Sequence, residues 1–369
     1  MDIELKDGLK TPLYKKHIAL KGNMVSFGGY LLPTHYTSIN LEHQLVRSKA
    51  GLFDVSHMGE FIVSGSDAEL FLQKITTNDI GVLRVGQAQY NVMCYEDGGI
   101  VDDLIIYKFE GKYMLVVNAN NIEKDMEWLK KNKFGNTKIS NVSGDIGLLA
   151  LQGPKSREIL QLLTNESLDS LKFYNFLTAK IDGLEATISR TGYTGELGYE
   201  LYINSKHIAD IWDKLLEAGK NQGLNPVGLG CRDTLRLEMK YLLYGNDINE
   251  KTNPLEAGLG WITKLNKDYF IGKKTICNSK NKITKHLICV EMEEKSIPRK
   301  GYKIYSGENF IGQITSGTMS PSLGKGIGLG YVSTPFEVIG TEIDIEIRGR
   351  KKKAKVVKAP FYKQGSLLS

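Results

Sequence analysis

The chain has 369 residues, 41% of them hydrophobic and 24% charged, with a formal net charge of +6. That length exceeds one typical core and predicts two or three domains, and no segment holds the roughly 18 uninterrupted apolar residues of a membrane span. The mild positive balance suits an anionic small molecule or an acidic partner and falls short of the dense basic stripe with aromatics that nucleic-acid binding requires.

The start, Met1 to Asp7, is acidic and mixed, unlike a secretory signal or an Arg-rich transit peptide. It predicts a bacterial cytoplasmic protein, or a processed form from the mitochondrial matrix. Cys94, Cys231, Cys277 and Cys289 form no C-x-x-C pair, and the six histidines show no ligand spacing such as H-E-x-x-H. The expectation is a soluble protein of a reducing compartment with no metal.

In chain order, an extended lead-in reaches a turn at Gly28-Gly29, and Ser38 to Ala50 reads as a helix. Gly51 opens a strand-rich stretch containing His57, read as hydrogen-bonded to backbone near a domain junction rather than catalytic. An internal echo follows. Phe61 to Gly65 leads into an apolar-faced helix ending at Thr76, and Leu149 to Gly153 leads into another ending at Thr164. Both copies are strand, glycine, helix, without further glycines in phosphate-loop spacing, so close helix–strand packing is the better reading.

Between the copies lies a predicted meander of three strands: Ala88 to Tyr95, Ile100 to Tyr107 and Lys112 to Asn120, joined at Asp97-Gly98 and Glu110-Gly111. Side chains alternate along a strand, so these turns place Asp103 opposite Val92 and Asn118, Ile105 opposite Tyr90, and Tyr107 opposite Met114. Tyr90, Asp103, Tyr107 and Asn118 then share one face and Asp102 points to the other. A carboxylate on an apolar face is costly unless something pairs with it. Spacing leaves a turn cap, an ion pair or a solvated place at the sheet's edge open beside a catalytic role for Asp103.

Ile122 to Lys131 is an amphipathic helix. Leu184 to Arg190 and Tyr199 to Ile203 are strands joined by a Gly-rich turn, and Glu200 sits among apolar neighbours. A carboxylate there asks for two parallel donors, met by a ligand with an amidine-like edge or by a structural arginine. Pro226 to Tyr244 reads as one helix whose Arg232, Arg236 and Lys240 form a solvated cationic face at i, i+4 spacing. Beyond Lys282 come short strands broken by Gly and Ser-Pro, a separate all-β domain whose Arg348 to Lys355 run is a solvated strand end. Predicted domains are 1–50 with 145–280, 51–144 carrying the meander, and 281–369.

Together these stretches resemble the aminomethyltransferase of the glycine cleavage system, the T-protein family, over nearly the full chain. The resemblance rests on Phe53-Asp54-Val55-Ser56-His57-Met58-Gly59, Gly98 to Asp103, Val117-Asn118-Ala119 and Leu151-Gln152-Gly153-Pro154. It also rests on Arg190 to Glu196, Arg232 to Glu238 and Ile314 to Pro321. It implies an α+β fold of three domains around a central folate channel, two related α/β units plus a C-terminal barrel-like β domain. The implied activity moves the one-carbon unit of an aminomethyl group, carried on the lipoyl arm of the H-protein, to tetrahydrofolate. The products are 5,10-methylenetetrahydrofolate and ammonia. By the same resemblance Asp103 is catalytic, and Tyr90, Tyr107, Asn118, Tyr174, Tyr193, Glu200 and Arg232 line the folate site, with Glu200 on the pterin's amidine-like edge. Family members often close the site with tail tyrosines; the tail here is Pro360-Phe361-Tyr362-Lys363-Gln364. Two relatives share the fold: a folate-dependent demethylase of a small sulfonium or amine, whose members tend to lack the Asp at position 103, and a folate-binding protein of iron–sulfur maintenance, whose K-G-C-Y-x-G-Q-E motif is here Arg190 to Glu196 without a cysteine.

Overall fold

The structure is a computed structural model that describes residues 8–368; the Met1 to Asp7 segment read above against a leader lies outside it. Two β-sheets, a closed barrel and a small three-stranded sheet make up the architecture. The first sheet has six strands in the order Phe176–Ile181, Leu184–Ser189, Gly198–Asn204, Ile146–Gln152, Gly51–Asp54, Asn225–Pro226. The Ser156–Gln161 and Ile208–Ala218 helices cover one face, burying Trp212, Leu149, Leu201 and Ile188 in one cluster. Amphipathic helices on a half-apolar sheet are the expected way to bury both stripes.

The second sheet has five strands in the order Gln87–Cys94, Ile100–Phe109, Lys112–Val117, Gly59–Ser64, Lys138–Asn141, packed under the Ala68–Ile75 and Ile122–Asn132 helices. Its register is the one the turns predict: Val92 faces Asp103, Tyr90 faces Ile105, and Tyr107 faces Met114. The turn sits one residue earlier than expected, centred on Glu96-Asp97 with Gly98 N–H on the Tyr95 carbonyl, and a register shift between Met93 and Cys94 keeps the faces unexchanged. The third strand stops at Val117, and Asn118 leads into a short 3-10 turn over Ala119–Asn121.

The echo is real. Gly65 and Gly153 both sit at positive φ between strand and helix. A Cβ on Gly65 would stand 1.8 Å from the Asn136 carbonyl oxygen, and one on Gly153 2.4 Å from that of Lys49. Each glycine is required by backbone crossing it.

Three differences from the sequence reading have physical causes. Gly51–Asp54 pairs with Ile146–Gln152 in the first sheet, so the second sheet begins at Gly59 rather than at residue 51. The helix expected over Pro226 to Tyr244 spans only Leu229–Glu238. It ends where Lys240 takes φ 60°, with Tyr241 N–H returning to the Arg236 carbonyl and Lys240 N–H to that of Leu237. This left-handed helix stop usually carries glycine; a lysine there hides it from the sequence. The solvated cationic face also fails, because the barrel packs on that side of the helix. Arg236 is 1% exposed and donates to Asp247 at 2.7 Å, Asp233 at 2.9 Å, Ser316 at 2.9 Å and the Tyr241 carbonyl at 3.0 Å.

The C-terminal barrel closes in the order Lys285–Met292, Gly326–Ser333, Asn309–Met319, Lys303–Ser306, Glu342–Ile347, Arg350–Val357. Closure leaves no free edge. The Arg348 to Lys355 run is a solvated strand end, its lysines pairing with Glu308, Glu294 and Asp344 at the surface. Among the described residues no helix is long and apolar enough to cross a membrane.

A second polar hub joins the barrel to the first unit. Arg47 binds Glu196 at 2.8 Å and Glu238 at 2.7 Å, while Glu238 also accepts from Ser320 and Ser322, the hydroxyl that faces His43. Removing one partner of a buried pair leaves the other charge without compensation, which costs about 3–5 kcal/mol. Arg236→Met, which keeps the side-chain length, should lose stability in that range in urea unfolding and expose the barrel junction to limited proteolysis.

Candidate functional site

The two sheets, the Leu229–Glu238 helix with the loops that follow it, and the tail after the barrel meet around a cavity of about 600 Å³. Tyr90, Asp103, Asn118, Tyr174, Tyr193, Glu200 and Arg232 all line it. Tyr107 does not; it is fully buried behind the wall.

Asp103 lies on the middle strand of the meander, half-buried. Tyr90 donates its hydroxyl to Asp103 Oδ2 at 2.9 Å, and Asn118 Nδ2 donates to Oδ1 at 2.9 Å. Both donors are neutral, and none of the ion pairs among the described residues reaches this carboxylate. Burial, then the charge of neighbouring Asp102, pushes its pKa up to about 7, against the hydrogen bonds from Tyr90 and Asn118 that favour the anion. The result is a carboxylate poised to gain and lose a proton near neutrality.

Glu200 follows from the strand Gly198–Asn204, opposite Ala150 and Ser189 in its two neighbours. It is buried, and Thr191 donates its hydroxyl to Glu200 Oε2. Thr191 in turn meets the Tyr107 hydroxyl at 3.2 Å, and Tyr107 meets that of Tyr202 at 2.8 Å. With Thr191 committed to the carboxylate, each hydroxyl in the row donates to the next, and the polarised row ends on Glu200. Tyr107 therefore belongs to the site as support. No arginine or lysine forms an ion pair with Glu200 among the described residues, so the structural-arginine alternative drops out. Burial raises its pKa, while Thr191 and the Arg232 charge favour the anion.

Arg232 projects from the Leu229–Glu238 helix with its guanidinium 4.6 Å from the centre of the Tyr193 ring. Tyr193 stacks on Tyr241 at 5.6 Å and 23° and donates to the Leu242 carbonyl. Tyr174 takes φ 62°; its carbonyl accepts from Ala88 N–H and its own N–H reaches the Arg190 carbonyl, which ties the two sheets at the wall. Aromatic faces, two carboxylates and one guanidinium give a chamber for a flat, polar-edged heterocycle.

Several wall residues carried no sequence signal. Trp261 lies in an irregular loop and stacks on Tyr90 at 6.1 Å while 62% exposed, which puts it at the mouth. His57 corrects the backbone-bonded reading: it lines the cavity, edge-on to Phe27 at 5.7 Å and Tyr30 at 6.3 Å, with no hydrogen-bond partner for Nδ1 among the described residues. Burial, then the Arg232 charge, lowers its pKa to about 4, so the ring is neutral. Of the tail, Ala359 and Pro360 reach the wall. Tyr362 instead lies with its ring 4.0 Å from the Arg47 guanidinium, and its N–H binds the Glu238 carbonyl.

The arrangement defines a protein of two sheets and a barrel with an aromatic-lined chamber, one wall of which carries a carboxylate whose pKa is raised to about 7. Residues 13–267 match the family described as GCVT N-terminal domain, and residues 285–363 the glycine cleavage T-protein C-terminal barrel domain. The chain belongs to the glycine cleavage T-protein family. It is 49% identical over 359 residues to an aminomethyltransferase of Geobacillus sp. (strain WCH70), covering 96% of this chain and 99% of that one. It is 50% identical over 354 residues to an aminomethyltransferase of Halothermothrix orenii, covering 95% and 99%. The crystal structure of the glycine cleavage system aminomethyltransferase T from Bartonella henselae superposes with a TM-score of 0.91 at 34% identity, covering 97% of this chain and 99% of that one.

The Tyr90 hydroxyl stabilises the Asp103 anion, so its removal favours the acid. Tyr90→Phe should raise the Asp103 midpoint above about 7, read by pH titration of carboxyl-13C aspartate in NMR; an unchanged or lowered midpoint would contradict this account of the wall.

Proposed function

We infer that this chain is the aminomethyltransferase of glycine cleavage, an enzyme that passes a one-carbon unit to tetrahydrofolate. The observation that carries the reading is Asp103: a carboxylate held in the wall of an aromatic chamber by neutral donors alone, in a cavity that also holds Glu200, a second carboxylate in no ion pair among the described residues. The aminomethyltransferase relatives favour this activity over the demethylase alternative.

Tetrahydrofolate fits the chamber as acceptor substrate. Its pterin offers an amidine-like edge of parallel N–H groups, the donor set that Glu200 lacks. Tyr174, Tyr193 and Tyr90 supply aromatic faces, and Arg232 supplies a charge beside Glu200. The donor would be an aminomethyl group on the dihydrolipoyl arm of the H-protein, admitted past Trp261. The setting proposed is the bacterial cytoplasm; the relatives come from bacteria.

In the reaction the aminomethyl carbon loses its bonds to nitrogen and sulfur and gains bonds to two folate nitrogens. The two folate N–H protons go to the leaving amine and the leaving thiolate, so ammonia and a free thiol balance the new ring. Positive charge develops on the carbon as ammonia departs. A preorganised anion in a dry wall stabilises that charge far better than water does. Asp103 fills this role, and its raised proton affinity lets it take a proton as the folate nitrogen attacks. The anion is the working form, so turnover should rise with pH through about 7.

Purified protein, tetrahydrofolate and aminomethyl-loaded H-protein should release ammonia promptly. Asp103→Asn should cut that release by about 100-fold or more, with tetrahydrofolate binding retained; a loss below about threefold would remove Asp103 from the mechanism. Glu200→Ala should weaken tetrahydrofolate binding before it slows chemistry. An unchanged dissociation constant would reject its pterin role.

A further inference from the structure

Behind Asp103 lies a second, wholly buried acidic pair. Asp102 points to the opposite face of the strand and is 0% exposed. It collects three N–H donors: the Asn118 backbone N–H at 3.2 Å, Asn118 Nδ2 at 2.8 Å and Asn121 Nδ2 at 2.7 Å. Asp125, in the first turn of the Ile122–Asn132 helix, is equally buried. Neither of its oxygens receives a hydrogen bond from an N–H or hydroxyl group among the described residues, and its carboxyl group meets that of Asp102.

Two carboxylates in contact in a dry site cannot both ionise, and the proton stays where the anion is worse solvated. Asp102 has three donors to stabilise a charge; Asp125 has none. The proton therefore resides on Asp125, which donates it to Asp102. Asn118 is the link to the site. Its Nδ2 reaches Asp102 Oδ1 at 2.8 Å and Asp103 Oδ1 at 2.9 Å, one N–H for each. A flipped amide would set its oxygen against both carboxylates, so a charged Asp102 fixes which way Asn118 points.

We propose that Asp102 and Asp125 are positioning residues for Asp103: a neutral Asp125 holds Asp102 as an anion, and that anion locks the Asn118 amide with one N–H aimed at the catalytic carboxylate. Accordingly, Asp125 is pushed up to about 11, by burial first and then by the Asp102 charge, and Asp102 is the second cause, after burial, of the upward shift at Asp103. Other ionisable groups face the cluster from each packed element. Lys124 of the helix donates to the Val101 carbonyl and lies 4.0 Å from the Tyr244 ring; its charge favours the Asp102 anion. Glu250, from the loop before the barrel, acts on Lys124, while Tyr90, Tyr174 and Tyr193 face Asp103 from the cavity side.

The role of Asp103 in the reaction rests on the function inferred above, so the test pairs kinetics with a measurement that needs no turnover. Asp102→Asn removes a like charge from Asp103, which lowers its pKa, and frees Asn118, which raises it; the charge is the larger of the two effects. Ammonia release should fall about tenfold or more, and the acid limb of its pH profile should move to lower pH, with the tetrahydrofolate dissociation constant and thermal midpoint near those of the unmodified enzyme. Asp125→Asn replaces a neutral donor by another, so rate and limb should stay within about twofold. Infrared difference spectra between the unmodified protein and Asp125→Asn should show loss of a protonated carboxyl band at neutral pH, whether or not either protein turns over. A limb that moves equally in Asp125→Asn, or the absence of that band, would show Asp125 to be charged and overturn the assignment. An Asp102→Asn enzyme that keeps both rate and limb would overturn the positioning role. If Asp102→Asn fails to fold, the infrared result and the Asp125→Asn profile decide alone; if Asp103→Asn proves active while the carboxyl band is present, it is the catalytic reading that falls.

Discussion

A carboxylate is expensive to keep in a dry wall, and most proteins offset that cost with a cation. Here a cation would defeat the purpose, because it would quench the charge and hold the proton affinity low. Asp103 is held by a tyrosine hydroxyl and an asparagine amide instead. Neutral donors place the carboxylate and leave its charge available. The surrounding structure serves that constraint: the meander sets the register, the turn at Asn118 brings the amide round, and the first sheet, the Leu229–Glu238 helix and the tail after the barrel complete the wall, which lowers the screening of its charge.

The cations are used elsewhere. Arg236 and Arg47 are buried in hubs that fasten the Leu229–Glu238 helix to the barrel and to the Arg190–Glu200 turn. Lys267 donates to the carbonyls of Gln73, Thr76 and Asn78, each at 2.7 Å, and so locks the end of a helix in the second unit. Ion pairs thus set the relative position of the bodies, and neutral hydrogen bonds set the chemistry between them. Buried pairs are poor sources of net stability but strict selectors of geometry.

Much of this was legible in the chain. The meander, its register and the face shared by Tyr90, Asp103 and Asn118 follow from turn chemistry and two-residue alternation, which are local rules. The strand–glycine–helix echo and the separate barrel were likewise readable from pattern. The illegible parts depend on what meets the chain from far away. Nothing local distinguishes Arg236, buried under the barrel, from a solvated helix arginine. Lys240 conceals a helix stop that glycine would have announced. Tyr107 shares the predicted face yet lies behind the wall, because the first sheet covers that end of the strand with Tyr202 and Phe176. Trp261 and His57 reach the chamber only through the packing of distant stretches of chain.

The Gly51–Asp54 strand has a consequence for the order of events during synthesis. It pairs with Ile146–Gln152, across the whole of the second unit. The second sheet, made of contiguous chain from Gly59 to Asn141, can therefore mature as it emerges, while the first sheet waits for a partner some ninety residues later. That early strand must remain unpaired in the meantime, with Leu52 and Phe53 uncovered. The earlier body is thus an insertion that forms inside an unfinished one, and the edge of the first sheet stays open until Ile146–Gln152 has been made.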